Sequence, residues 1–214
     1  PMRPDAVEVR EVVSGKVVHR HKVDAAASVK AVAGGGLIAL DVFDGEGSGS
    51  LVLVAGDGTS TTQNVGAPPR AISDDGRWLA TETSKTIQIR GLKMAGKLMR
   101  TLDQTSKGFA FSRDGARVVW AAMADRSVPD VKIRVQAIEG SAEVHELAVK
   151  GWPEAVTFTP DGEEVLMMIE SGKLTRWRWK TGETTTIAQV SIILANTPQV
   201  TNDGKVVLLP GYDH

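Results

Sequence analysis

The sequence contains no cysteine among its 214 residues. A disulfide framework, a thiol nucleophile and a cysteine-ligated zinc are therefore excluded, and the compartment stays open between cytoplasm and periplasm. Aromatic residues are scarce: one tyrosine, four phenylalanines and five tryptophans. Net charge is nearly absent, with 25 basic residues against 26 acidic ones, so no overall field draws in nucleic acid or an anionic membrane. No apolar run approaches the roughly 18 residues that a membrane-inserted helix needs. A secretory leader is also missing, but the opening Pro1-Met2 reads as the start of an excised piece, so this says little about location. Heptads, low-complexity tracts and capped amphipathic helices are lacking too. What remains is a chain of 42% apolar content with a period in it.

Five glycines mark that period, Gly36, Gly76, Gly115, Gly162 and Gly204, at spacings of 40, 39, 47 and 42 residues. Repeats of about 40–45 residues are the sequence sign of propeller blades. Four residues before each glycine stand Val32, Ile72, Phe111, Phe158 and Val200, all apolar, followed by the small residues Ala33, Ser73, Ser112, Thr159 and Thr201. Three residues after each glycine come Ala39, Leu79, Val118, Val165 and Val207. Asp-Gly tolerates the positive φ that a tight hairpin requires, and continuous apolar flanks suit strands covered on both faces. Each unit therefore opens with two inner strands.

Two outer strands follow in four of the units, within blades over approximately 27–66, 67–103, 106–149 and 152–190. The fifth unit ends after its inner pair. Two alternating strands at the other end, Val7–Val13 and Lys16–Val23, supply what it lacks. The fold expected is thus an all-β propeller of four-stranded antiparallel blades. Five blades form one domain over 1–214, closed by a composite blade of 5–24 and 196–210 that leaves no free edge. The alternative is a piece of a ring of six to eight blades.

The unit from Val156-Thr157-Phe158-Thr159-Pro160-Asp161-Gly162 to Trp177-Arg178-Trp179-Lys180-Thr181-Gly182-Glu183 resembles the WD-repeat family. Phe111-Ser112-Arg113-Asp114-Gly115 and Ile72-Ser73-Asp74-Asp75-Gly76 match the first half of that pattern. The resemblance covers nearly the whole chain. It departs from the family in having no Gly-His pair and in placing Arg178 where the aspartate belongs, which implies that the buried hydrogen-bond network of typical WD blades is absent. It implies a divergent, bacterial WD-like propeller serving as a rigid platform for partners. Fold does not fix function, so this implication is analogy.

The start of each first strand is where such rings place chemistry, and Glu154 is the only carboxylate in those windows. A glycoside hydrolase needs two acids. The expectation is a non-enzymatic scaffold that binds a protein or peptide, with no cofactor, metal, nucleic acid or membrane insertion. The alternatives are a carbohydrate hydrolase or lyase, and a sensor domain of a larger bacterial protein. Trp152 with Glu154 and Lys107 is the expected contact surface, because tryptophan near charge is the composition of an interface hot spot. Lys30 and Arg70, with Lys107, make one channel mouth basic. The turn aspartates Asp75, Asp114, Asp161 and Asp203 read as hairpin residues rather than calcium ligands. Asp41 to Gly47 reads as a flexible hairpin lacking the ligands of a calcium loop. His19 and His21 share a strand face, but His145 and His214 lie elsewhere, so zinc is not expected. Gly34-Gly35-Gly36 and Gly56-Asp57-Gly58-Thr59 lack the lysine and helix of a phosphate loop and read as turns.

Overall fold

A computed structural model describes residues 6–10, 13–22, 26–32, 38–43, 49–55, 59–64, 67–83, 86–92, 96–103, 105–123, 130–169, 172–189, 199–201, 204–205 and 207–208. Among these residues twenty strands run in sequence: β1 (Ala6–Arg10), β2 (Val17–Lys22), β3 (Ala26–Val32), β4 (Ile38–Phe43), β5 (Gly49–Val54), β6 (Ser60–Asn64), β7 (Pro69–Ile72), β8 (Trp78–Glu82), β9 (Thr86–Gly91) and β10 (Leu98–Asp103), then β11 (Thr105–Phe111), β12 (Arg117–Met123), β13 (Asp130–Ala137), β14 (Val144–Lys150), β15 (Pro153–Phe158), β16 (Val165–Ile169), β17 (Lys173–Arg178), β18 (Glu183–Gln189), β19 (Gln199–Val200) and β20 (Val207–Leu208). They form four four-stranded sheets in simple order, β3 to β6, β7 to β10, β11 to β14 and β15 to β18. β1 with β2, and β19 with β20, form two-stranded sheets. No helix among the described residues is long and apolar enough to cross a membrane.

The small-residue column builds the turns. Ser73, Ser112 and Thr159 each turn a side-chain hydroxyl to Asp75, Asp114 and Asp161, donating at 2.6 Å in all three cases. The same hydroxyl oxygen accepts the amide of Trp78, Arg117 or Glu164 at 2.9–3.1 Å, at the start of the returning strand. The aspartate carboxylate then accepts the amide of Arg77, Ala116 or Glu163. Gly76, Gly115, Gly162 and Gly204 take φ of 63–72°, the left-handed region that a Cβ disfavours. The outcome is one register: Ile72 opposite Leu79, Phe111 opposite Val118, Phe158 opposite Val165 and Val200 opposite Val207. In the first hairpin Val32 lies opposite Ile38, one residue earlier than the repeat predicts, after a bulge between Val29 and Ala31. Its Gly34-Gly35-Gly36 turn lies outside the described residues, as do the turns at Asp44–Gly47 and Gly56–Gly58, Asp203 and His214.

Two compact units divide the chain, Pro1–Thr83 with Gln88–Leu98, and Ser84–Ile87 with Met99–His214. In the second unit the sheets β11–β14 and β15–β18 share a core of Val119, Ala121, Val131, Ile133, Val135, Val156, Phe158, Val165, Met167, Ile169, Trp177 and Trp179. Full burial of each large side chain there contributes about 1.5–3 kcal/mol before chain entropy is counted. β16 is buried at all five positions, as its continuous apolar run predicts. The two sheets meet closely at their first strands, where a Cβ placed on Gly108 of β11 would lie 3.1 Å from both γ-methyls of Val156 in β15. Half-buried Arg100 of β10 reaches the β13–β14 turn, donating from Nε to the Ile138 carbonyl at 2.9 Å and from Nη2 to those of Gly140 and Ser141 at 3.1 Å.

Candidate functional site

Lys107 sits on β11 and Glu154 on β15, strands whose neighbouring residues are in contact at Gly108 and Val156. Trp152 precedes β15, just after Gly151, whose φ of 90° turns the chain from β14 into β15. The sequence treats Trp152 as exposed. The structure leaves it half-buried and packed against the shared core, as are Leu147, Val149 and Ala110. Glu154 is half-buried on the strand. In the first unit Lys30 lies on β3 and Arg70 on β7. The Arg70 guanidinium pairs with Glu82 at the end of β8, a partner that sequence reasoning missed because the β7 bulge at Arg70 sets its position. The side chains of Lys30 and Lys107 lie outside the description.

A second constellation lies at the opposite end of β15, about 20 Å away for six residues at ~3.3 Å each. Alternation along β17 and the turn after it buries Trp177 and Trp179 in the core and turns Arg176, Arg178 and Lys180 the other way. The register of β16 with β17 sets Val165 against Trp177, which brings Glu164 beside the arginines. Glu164 meets Arg178 Nε at 2.7 Å and Arg176 Nε at 3.6 Å. Arg178 also meets Glu183 at 2.8 Å, and Lys180 meets Glu163 at 2.7 Å. Hydrogen bonds from the guanidinium to Glu164 and then Glu183 raise the Arg178 pKa, keeping it a fixed cation. Arg176, Arg178, Lys180, Glu163 and Glu164, with Asp161 and Thr181, line a groove of about 450 Å³. The paired arginines were legible in the sequence. Only strand register joins Glu163 and Glu164 to the groove.

Beside the groove, Trp179 donates its indole N–H to the Gly162 carbonyl at 2.9 Å. Arg117 and Lys180 stand 5.1 and 5.2 Å from its ring centre, within the range of cation–π attraction. His145 meets the same ring edge-on at 4.8 Å. That imidazole therefore joins two sheets. His19 and His21 fall on β2, with side chains outside the description. Among the described residues no group of three or more His, Cys, Asp or Glu is placed to hold a metal.

No family model matches the sequence, and no curated protein does. Solved structures do match the architecture. Kluyveromyces lactis Hsv2, a WD40 β-propeller, superimposes with a TM-score of 0.72 over 96% of this chain at 13% identity. The chain spans 65% of the length of that structure. At such identity the likeness shows the fold, a β-propeller built of four-stranded antiparallel sheets, and carries nothing about activity.

Proposed function

We propose that the chain is a non-enzymatic module that binds a protein or peptide partner through the surface where its first strands begin, with no cofactor. The observation supporting this reading is the placement of Lys107 and Glu154 on first strands that pack together, with Trp152 at the entry to the second and seated on the core. A large side chain already anchored in a core loses little freedom when a partner covers it, so its buried area converts efficiently into affinity. Lys30 and Arg70, on β3 and β7, supply cations on the corresponding strands of the first unit. The near-zero net charge suits a protein partner better than nucleic acid.

Capture of partners by the immobilised chain tests the reading. Trp152→Ala is expected to weaken capture at least about tenfold, the loss of 1.4 kcal/mol or more that marks a hot spot. Because Trp152 also packs on the core, Glu154→Gln, whose thermal unfolding should match the parent, is measured beside it. Equal capture by the parent and both variants overturns the reading.

A further inference from the structure

We infer that the charged groove and the outer edge of β18 together form a docking site for an extended peptide carrying a carboxylate, an inference that rests on the interaction-module reading and names the partner's chemistry. Among the described residues β18 closes its sheet and pairs with β17 on one side only, Glu183 opposite Arg178, Thr184 opposite Trp177, Thr185 opposite Arg176 and Thr186 opposite Thr175. These four residues are exposed, and no charged side chain stands between Thr184 and Gln189. Another outer strand of this unit, β14, interleaves His145, Glu146 and Lys150 along its length. Charges on an edge deter a second strand from pairing, so the Thr184–Thr186 edge is open where β14 is guarded. The groups it offers are alternating backbone N–H and C=O, whose natural complement is another extended backbone.

The groove supplies the charge preference. Residues directly opposite in a ladder share a face, so Thr185 stands on the face of Arg176. Arg178 and Lys180 are occupied by Glu164, Glu183 and Glu163. Arg176 is different. It is 39% exposed, its Nε lies 3.6 Å from Glu164, and no hydrogen bond of ordinary length holds its guanidinium among the described residues. A planar fork of free N–H donors at the rim of a groove is the geometry that takes a carboxylate bidentately. A strand added outside β18 places every second side chain on that face, and an acidic one level with Thr185 points toward Arg176. The bulge at Ile187, which has no opposite number between Thr175 and Leu174, ends the regular edge after about four residues. The partner segment is correspondingly short.

The test uses a fluorescently labelled peptide, acetyl-Thr-Val-Glu-Val-Thr-amide, titrated with the full chain. Saturable binding is expected. It should weaken at least tenfold when the peptide's Glu is replaced by Gln, weaken equally with Arg176→Gln, and vanish when the alternate amides of one peptide edge are N-methylated. Thr185→Glu, an exposed edge substitution, should weaken the Glu peptide more than the Gln peptide. Absence of saturation, or equal affinity for the parent and Arg176→Gln, overturns the proposal. Loss of partner capture through Trp152 is a separate readout, so failure of the one reading is distinguished from failure of the other.

Discussion

A hydroxyl five residues ahead of the amide that opens a hairpin's return does two jobs in each of three turns, and the neighbouring aspartate makes this possible. Ser73, Ser112 and Thr159 donate to a carboxylate and accept from an amide, so both the side chain and the first strand N–H are satisfied where two of the hydroxyl-bearing residues are fully buried. For Asp114 the Ser112 hydroxyl is the strongest influence, and together with the Ala116 amide and Arg117 it outweighs burial and lowers the pKa. For Asp161 the Thr159 hydroxyl and the Glu163 amide lower it. At Asp75 burial is the largest single influence and pushes upward, but Ser73 and Arg77 together outweigh it, with a lowered pKa as the result. A carboxylate held below its unfolded pKa stabilises the fold above that value, and the contribution is lost as pH falls through the folded pKa. Unfolding midpoints are therefore expected to be flat from neutrality down to about pH 5 and to fall below about pH 4. Asp114→Asn with Asp161→Asn should reduce stability at pH 7 by about 1 kcal/mol for each lost charge-assisted bond and flatten the acid limb. A variant with an unchanged acid limb would show that other carboxylates govern it. These turns were legible because the small residue, the aspartate and the glycine recur at one spacing. The double use of the hydroxyl was not, because it depends on which amide the returning strand presents.

Strands are where sequence and structure agree most closely, since period-two alternation and apolar runs are local properties. β17 shows the agreement and its limit. The sequence separates Trp177 and Trp179 from Arg176 and Arg178, and the structure places the tryptophans in the core. Yet the indole N–H of buried Trp177 has no acceptor among the described residues, and neither does the hydroxyl of buried Thr81 in β8 a donor or acceptor. Each unpaired polar atom carries a desolvation penalty of about 1–3 kcal/mol. Packing between sheets decides other positions. Gly108 carries no turn and takes no special φ, but β15 approaches so closely that an added methyl would press on Val156 at 3.1 Å. Gly108→Ala should lower stability by about 1 kcal/mol and Gly108→Val by about 3 kcal/mol, through overpacking, as chemical denaturation would measure. Stabilisation by Gly108→Ala would mean that β11 and β15 are free to part. Sequence inspection could not mark Gly108, because its reason lies on a strand more than 40 residues away.

At the scale of the whole chain, the repeat predicts that the two ends share one blade, and this closure is checked by circular permutation. A chain joining residue 214 to residue 1 through a short linker, with new ends in the exposed turn at 139–142, is expected to fold with one cooperative transition near that of the parent. A permutant that aggregates or melts in separate steps would sink the shared blade. The sequence by itself determined the four-stranded unit and the turns at Gly76, Gly115, Gly162 and Gly204, because each follows from the conformational preferences of a few consecutive residues. Only the tertiary structure decided that Trp152 is a half-buried anchor, that His145 packs on Trp179, and that Glu163 and Glu164 meet Arg176, Arg178 and Lys180 in one groove. Those outcomes depend on strand register and on the approach of one sheet to another, and both are set by the fit of side chains far apart in the chain.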